Sequence, residues 1–100
     1  MLEVKRKPRH PGELIQRQYL EPLGMTIAEL AAILGVSLEE LAQIVAGTAG
    51  VTPEVALRLG VALQTTPDLW LNLQQGYDLW WAANRSQDWK KIQPIAQLGG

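Results

Sequence analysis

Very few side chains in this sequence are of the types that catalyse reactions or bind metals. The chain of 100 residues contains one histidine, His10, and no cysteine. His10 and Glu13 could form an acid/base or metal pair, but the same spacing is more typical of a residue at a helix entry followed by a first-turn acid. Glu39 and Glu40 are adjacent, so their carboxylates diverge by about 100° on a helix and cannot easily share a proton or a metal. The sequence therefore predicts no catalytic residue, no metal site, no cofactor and no enzymatic activity.

Charge is distributed unevenly, although the net charge is only −1. Residues 1–17 carry five cations and two acids, residues 18–84 carry one cation and seven acids, and residues 85–100 carry three cations and one acid. The whole-molecule charge gives no reason to expect nucleic acid as a partner. The N-terminal cations could nevertheless follow a DNA groove, with a disordered, solubilising end as the alternative. These cations are Lys5, Arg6, Lys7 and Arg9.

Composition also limits the class and location of the protein. An apolar content of 47% in 100 residues is enough for one small domain with one core. The longest apolar run is far shorter than the roughly 20 residues of a membrane span, and no apolar signal core follows the basic N-terminus. We therefore expect a single cytoplasmic domain with no membrane partner.

Helix start and stop signals divide the chain into five helices. In the first, "HPGELIQRQYLEPLG", Pro11 marks the first turn and Glu21-Pro22 the end. The second and third, "TIAELAAILG" and "SLEELAQIVAG", each begin with the spacing of a capping box and end at a glycine. Only residues 34–36 separate them, which forces a large crossing angle and predicts a helix-turn-helix.

Two further helices begin at Thr-Pro pairs. Thr52-Pro53 opens the fourth helix, and Thr66-Pro67 opens the fifth, which we expect to end near Asn84. We therefore predict an all-α, five-helix domain over residues 9–84. A basic, flexible arm over residues 1–8 precedes it, and a tail over residues 85–100, with a short helix from Ser86, follows it.

Large side chains on the fifth helix indicate both a core and a self-association surface. Trp70, Leu73, Tyr77 and Trp80 fall on one stripe, which more often packs into a core than binds a ligand. Other apolar residues lie off that stripe, and burial in a two-fold homodimer is the simplest explanation for them. The candidate interface residues are Leu69, Trp70, Leu73, Tyr77, Trp80 and Trp81.

The segments "HPGELI", "LEPLGMTIAELAAILGVS", "GVTPEVALRLGVAL" and "TTPDLWLNLQQGYDLW" together resemble the HigA/VapI-type antitoxins. These proteins are a branch of the phage-repressor-like (XRE) helix-turn-helix family. The resemblance covers about residues 9–84 and implies a compact, lambda-repressor-like, homodimeric domain. It also implies repression of the protein's own operon by binding operator DNA and neutralisation of an mRNA-cleaving toxin. The DNA contacts implied on or beside the third helix are Ser37, Gln43 and Thr48.

The third helix departs from what a DNA-reading helix usually carries. Residues 26–52 contain no lysine or arginine, but they contain Glu29, Glu39 and Glu40, whereas base edges and phosphates call for donors and cations. We therefore favour the hypothesis that this helix binds protein, through divergence by evolution or by engineering, with operator binding as the alternative. The predicted protein-contact face consists of Leu38, Glu39, Ala42, Gln43, Ala46 and Ala49, while Leu41 and Ile44 are assigned to the core.

Overall fold

The computed structural model of the chain describes residues 6–96. These residues form five helical elements and one short 3₁₀ turn, and no strand lies among them. The first element, α1, spans residues 11–23. The others are α2 (Ile27–Leu34), α3 (Leu38–Ala46), α4 (Pro53–Leu63), α5 (Pro67–Arg85) and the 3₁₀ turn (Asp88–Lys91). The predicted all-α, five-helix architecture with a helix-turn-helix is confirmed.

The α2–α3 unit is delimited by side-chain caps and left-handed glycines. Thr26 and Glu29 form the predicted capping box, in which Glu29 Oε1 accepts from the Thr26 amide at 2.8 Å and Thr26 Oγ1 accepts from the Glu29 amide at 3.1 Å. Gly35 ends α2 at φ 74°, a conformation that favours glycine. Ser37 Oγ accepts from the Glu40 amide at 3.0 Å. The Glu40 carboxylate does not complete a second capping box, so the prediction was wrong in that half, and this carboxylate faces solvent instead.

Helix α1 continues past the predicted stop at Glu21-Pro22. It consists of an α-helical start (Pro11–Ile15), a π-helical turn (Gln16–Leu20) and a final turn (Glu21–Leu23). In the π turn the Glu21 amide donates to the Gln16 carbonyl, five residues back. This wider turn relieves the clash that a proline ring makes with the carbonyl four residues earlier in a regular helix, so the helix reaches Gly24.

A single core joins the five helices. Helix α1 packs against α3 and α5, α2 against α3 and α4, and α4 against α5. Leu41 and Ile44 are 0% and 1% exposed, as predicted. Trp70 is completely buried as well, and its Nε1 donates to Thr65 Oγ1 at 2.7 Å. Trp70 therefore belongs to the core and offers no surface to a partner, which removes it from the predicted interface.

Arg58 holds the end of α2 from the neighbouring helix α4. Its Nη1 donates to the Leu34 carbonyl at 2.8 Å, and its Nη2 lies 3.1 Å from Glu54 Oε2. The guanidinium thus satisfies one of the carbonyl groups that a helix C-terminus leaves unpaired. Since Leu34 directly precedes the turn between α2 and α3, this contact fixes the turn of the helix-turn-helix.

Gly12 allows α1 to touch the backbone of α3. A Cβ atom at this position would overlap the carbonyl oxygen of Ile44. No side chain fits between the two helices here, which explains the glycine in "HPGEL". Helix α1 can therefore press directly on the second half of α3.

The C-terminal part of the described chain extends beyond the core. Helix α5 ends at Arg85, one residue after the predicted Asn84. The predicted helix from Ser86 is a 3₁₀ turn that begins at Asp88, because Ser86 Oγ accepts from the Asp88 amide at 3.1 Å. Within residues 6–96, no helix is both long enough and apolar enough to cross a membrane.

Replacing Gly12 by alanine should destabilise the protein by about 1–3 kcal/mol, because the added methyl group must displace the backbone of α3. Gly76→Ala is the matched control, since a Cβ added at this position inside α5 meets only open space. That substitution should increase stability by about 0.5–1 kcal/mol. Urea unfolding of both variants measures the difference. Equal stability of Gly12→Ala and the unmodified protein would contradict the tight contact.

Candidate nucleic-acid interface

The outer face of α3 is polar at its centre and apolar at one edge. Glu39, Gln43 and Ala46 are exposed at positions that share one side of the helix, while Leu41 and Ile44 occupy the opposite side. Leu38 is 54% exposed at the start of the helix, and Ala42 is half-buried. The amide of Gln43 and the carboxylate of Glu39 are thus the groups that α3 presents for hydrogen bonding to a partner.

Two hydroxyl groups predicted to contact DNA also have structural roles. Ser37 Oγ caps α3, as described above. Thr48 Oγ1 donates to the Gln43 carbonyl at 3.2 Å and the Thr48 amide donates to the same oxygen at 2.9 Å, which closes the end of α3. Both side chains remain exposed, so capping does not remove them from the surface.

The loop after α3 is held by Gln74 of helix α5. Gln74 Oε1 accepts from the buried Val51 amide at 2.8 Å, and Gln74 Nε2 donates to Asp78 Oδ1 at 2.9 Å. Gly50 lies against the Gln74 amide, where a Cβ would come within 3.1 Å. Ala49 is half-buried in the same loop. Gln74 therefore fixes the backbone that follows the candidate reading helix.

His10 connects three elements at the end of α3. Its Nδ1 accepts from the Gly12 amide at 2.9 Å and so caps α1. Its ring meets Tyr77 of α5 edge-on, with centroids 4.8 Å apart, and lies against Gly47. Burial lowers the pKa of the imidazole below its ordinary value of 6.5, while the Ala49 backbone and the Asp78 charge act in the opposite direction. The neutral form is thus the one that the fold prefers, as the capping role requires.

The N-terminal cations lie beside the end of the candidate reading helix. Lys7 and Arg9 line a surface depression of about 510 Å³ whose opposite wall is formed by Val45, Ala46 and Gly47. Arg6, Lys7 and Arg9 are all exposed. Lys5, also predicted to contact DNA, lies outside the described residues. The fold therefore places positive charge next to α3, although α3 itself has none.

An acidic group within α1 partly balances this positive charge. Glu13 lies 3.7 Å from Arg9 and 3.4 Å from Arg17, at helix spacings of four residues on either side. Both arginines are more than half exposed, so these pairs are weak and leave the guanidinium groups accessible to another anion.

The candidate self-association residues lie along α5, apart from Trp70. Leu69 and Trp81 are exposed, and Leu73, Tyr77 and Trp80 are half-buried. The rings of Trp80 and Trp81 meet edge-on with centroids 5.2 Å apart. Lys7 Nζ lies 4.9 Å from the centroid of the Trp81 ring, which links the N-terminal segment to this end of α5.

His10 and Glu13 do not form a metal site. In the described part of the chain, no three histidine or acidic side chains are grouped closely enough to hold a metal ion. His10 Nδ1 is instead occupied by the Gly12 amide, and Glu13 faces Arg9 and Arg17.

Comparison with known proteins agrees with this geometry. Residues 16–70 match a helix-turn-helix family. The chain is 38% identical over 96 residues to antitoxin HigA-1 of Vibrio cholerae, which covers 95% of this chain and 90% of the relative. It is 37% identical over 87 residues to virulence-associated protein I of Dichelobacter nodosus, covering 87% of this chain and 81% of the relative.

Solved structures show the same fold in complexes with DNA. Antitoxin GraA in complex with its operator matches with a TM-score of 0.85 at 33% identity, covering 95% of this chain and 98% of that one. Antitoxin HigA of Pseudomonas aeruginosa with the higBA promoter matches with a TM-score of 0.79 at 36% identity, covering 88% of this chain and 98% of that one.

Fold and surface thus define a lambda-repressor-like helix-turn-helix protein of the XRE class. Within that class, the chain belongs to the HigA/VapI-type antitoxin family. The family is non-enzymatic. None of these comparisons supports a reading helix that has been redesigned or has diverged to another role.

Sequence reasoning missed two residues that position the interface, Gln74 and Arg58. Gln74 lies next to Leu73 on the predicted apolar stripe, and a lone polar residue at a core-facing position signals a buried hydrogen bond. Arg58 is the single cation of residues 18–84, and this isolation was the only local signal of its role.

Substituting Gln74 by leucine should cost about 1–3 kcal/mol, because the buried Val51 amide loses its acceptor. Gln75→Leu, at the exposed neighbouring position, is the matched control and should change stability by less than about 0.5 kcal/mol. Hydrogen exchange at the Val51 amide gives an independent measurement, with faster exchange expected only for Gln74→Leu. Unchanged protection of that amide would argue against the clamp.

Stability should also fall as the pH drops through the range in which His10 titrates. Because the folded-state pKa of His10 is lowered, the unfolded chain binds the proton first, so the contribution of neutral His10 is complete above pH 6.5 and is lost below it. His10→Asn keeps a capping oxygen without a titrating group. The free energy of unfolding, measured from about pH 8 to about pH 5, should therefore decrease more steeply for the unmodified protein than for the variant. Parallel curves would rule out this role for His10.

Proposed function

We propose that this protein is an antitoxin and transcriptional autorepressor that binds the operator DNA of its own operon and neutralises an mRNA-cleaving toxin. The proposal depends most on one observation: Lys7 and Arg9 flank the C-terminal end of α3. It is supported further by relatives that were solved with an operator or a promoter. A cytoplasmic location, where bacterial DNA lies, accompanies this function.

In the proposed complex, α3 enters the major groove and its exposed side chains read base edges. Gln43 can pair with adenine through both amide groups, and Glu39 can accept from the amino group of cytosine. Ser37 and Thr48, at the two ends of the helix, are suited to single hydrogen bonds with bases or phosphates. Base reading is thus assigned to neutral and acidic side chains.

Phosphate binding is assigned to the N-terminal segment. Cations that neutralise phosphates release condensed counterions and supply most of the non-specific affinity for duplex DNA. Lys7 and Arg9 lie beside the end of α3, and Lys5 and Arg6 precede them in sequence. The arm over residues 1–8 therefore compensates for the acidic charge of Glu39 and Glu40, and the flexibility expected of it suits this role.

The proposed protein acts as a homodimer through α5. Leu69, Leu73, Tyr77, Trp80 and Trp81 are the candidate contacts, and two copies would present two α3 helices to a two-fold symmetric operator. The contact of Lys7 with the Trp81 ring lies at the border between this surface and the DNA surface.

The alternative hypothesis, in which α3 binds protein, has less support. Leu38 is exposed and Ala42 and Ala46 offer close approach to another backbone, as that hypothesis requires. However, the relatives solved with operator or promoter DNA share the helix-turn-helix arrangement over almost the whole chain. Since the fold also supplies cations beside α3, the absence of cations within α3 no longer argues against DNA binding.

The salt dependence of operator binding tests this division of labour. In a titration with the promoter of the protein's own operon, the double variant Lys7→Ala/Arg9→Ala should bind more weakly. Its slope of log affinity against log salt should be shallower by about 1–2, because up to two phosphate contacts are lost.

The matched control is Lys90→Ala/Lys91→Ala, which removes the same charge from the 3₁₀ turn after α5 and should leave the slope unchanged. Equal slopes for both double variants would show that Lys7 and Arg9 do not contact phosphates. No binding of the unmodified protein to its promoter, even at low salt, would refute operator recognition altogether.

A further inference from the structure

A patch of aliphatic side chains on α2 and α4 lies outside both proposed surfaces. Ile33 of α2 and Leu57 and Val61 of α4 are 59%, 59% and 83% exposed. Together with Leu34 and Ala62 they line a shallow depression of about 440 Å³. We refer to Ile33, Leu57 and Val61 as the aliphatic patch.

The arrangement of the patch differs from the single exposed apolar residues that are normal on protein surfaces. Leu57 and Val61 are four residues apart, so they are neighbours on one side of α4. Ile33 adds a third side chain from the adjacent helix across the depression. The core does not need them, because Leu34, Val55 and Leu59 already fill the α2–α4 contact from the inner side.

The rim of the patch is acidic. Glu54 lines the depression, and Glu29 lies one turn before Ile33 on the same side of α2. Arg58, the only cation in residues 18–84, is occupied by Glu54 and by the Leu34 carbonyl. An apolar centre with a charged rim is the usual anatomy of a protein–protein interface.

We propose that the aliphatic patch binds the toxin, and this inference rests on the proposed antitoxin function. An enzyme that cleaves RNA must carry cations to bind a polyanion, and such cations complement Glu29 and Glu54. A second copy of this chain would instead bring the same acids to the interface, and like charges there are repulsive. The occupant favoured by charge is therefore a basic protein with an aliphatic ridge that enters the depression.

This assignment separates the toxin surface from the DNA surface. The patch uses the last turn of α2 and the outer side of α4, whereas the proposed DNA contacts lie on α3, on the loop after it and on the N-terminal segment. Different substitutions should therefore remove the two activities independently.

Calorimetric titration with the toxin encoded in the same operon tests the inference. Leu57→Arg and Val61→Arg should each weaken toxin binding at least about tenfold, because a cation in the apolar centre opposes the basic partner. Val61→Glu should weaken it less than Val61→Arg, since the acid suits that partner. Leu23→Arg is the matched control: Leu23 is 62% exposed at the end of α1, and its substitution should have no effect.

Three further measurements separate the outcomes. Thermal unfolding and promoter binding should be unchanged in all four variants, because the substituted side chains are exposed and lie outside the DNA surface. If the arginine variants bind the toxin as tightly as the unmodified protein, the inference is wrong while the antitoxin function stands. If they instead change a dimer into a monomer in sedimentation, a second copy occupies the patch and the inference is also wrong. If the unmodified protein does not bind the toxin, both the inference and the antitoxin function fail.

Discussion

The contact between the backbones of α1 and α3 at Gly12 is the constraint on which the rest of the interface depends. Helix α3 has nine residues, fewer than an isolated helix needs to be stable in water. Its position must therefore come from its neighbours. Gly12 lets α1 press on the carbonyl of Ile44, and the same approach brings the N-terminal cations to the end of α3. One small residue thus determines both where the candidate reading helix lies and which charges stand beside it.

Buried polar side chains complete what this contact begins. His10 caps α1 and packs against Tyr77, Gln74 holds the Val51 amide, and Arg58 holds the Leu34 carbonyl. Each of these residues joins a helix to backbone next to α2 or α3. Because buried or helix-terminal backbone groups are costly to leave unpaired, these contacts restrict the helix-turn-helix to one arrangement. An arrangement of this kind suits a function that depends on matching the spacing of DNA grooves.

Surfaces with different chemistry occupy different parts of this small domain. The α3 face and the N-terminal segment combine hydrogen-bonding groups with cations, the outer side of α5 is aromatic, and the aliphatic patch has an acidic rim. These properties fit, in turn, the DNA, the second copy and the toxin of the proposed function. A domain of five short helices has room for three such surfaces because its core requires little more than one side of each helix.

Local signals in the sequence were sufficient for the helices and their order. The Thr26 box, the stop at Gly35, the Thr-Pro starts of α4 and α5 and the burial of Leu41 depend on neighbouring residues, and all were predicted. The end of α1 was not, because Pro22 is a local stop signal that the π-helical turn before it overrides. Neither was the second half of the Ser37 cap, since capping spacing permits that hydrogen bond without requiring it.

The candidate site could be predicted only in part, for a related reason. The sequence by itself determined the family, the helix-turn-helix and the residues that α3 presents, because these follow from spacing along the chain. Only the tertiary structure decided that Lys7 and Arg9 stand beside Ala46 and Gly47, that Gln74 faces Val51, and that Trp70 is core rather than interface. These contacts join residues that are distant in sequence, and the packing of α1 and α5 against α3 brings them together. The charge of a DNA-binding surface is the sum over all the side chains that reach it, so the composition of α3 alone was an incomplete measure of what α3 can bind.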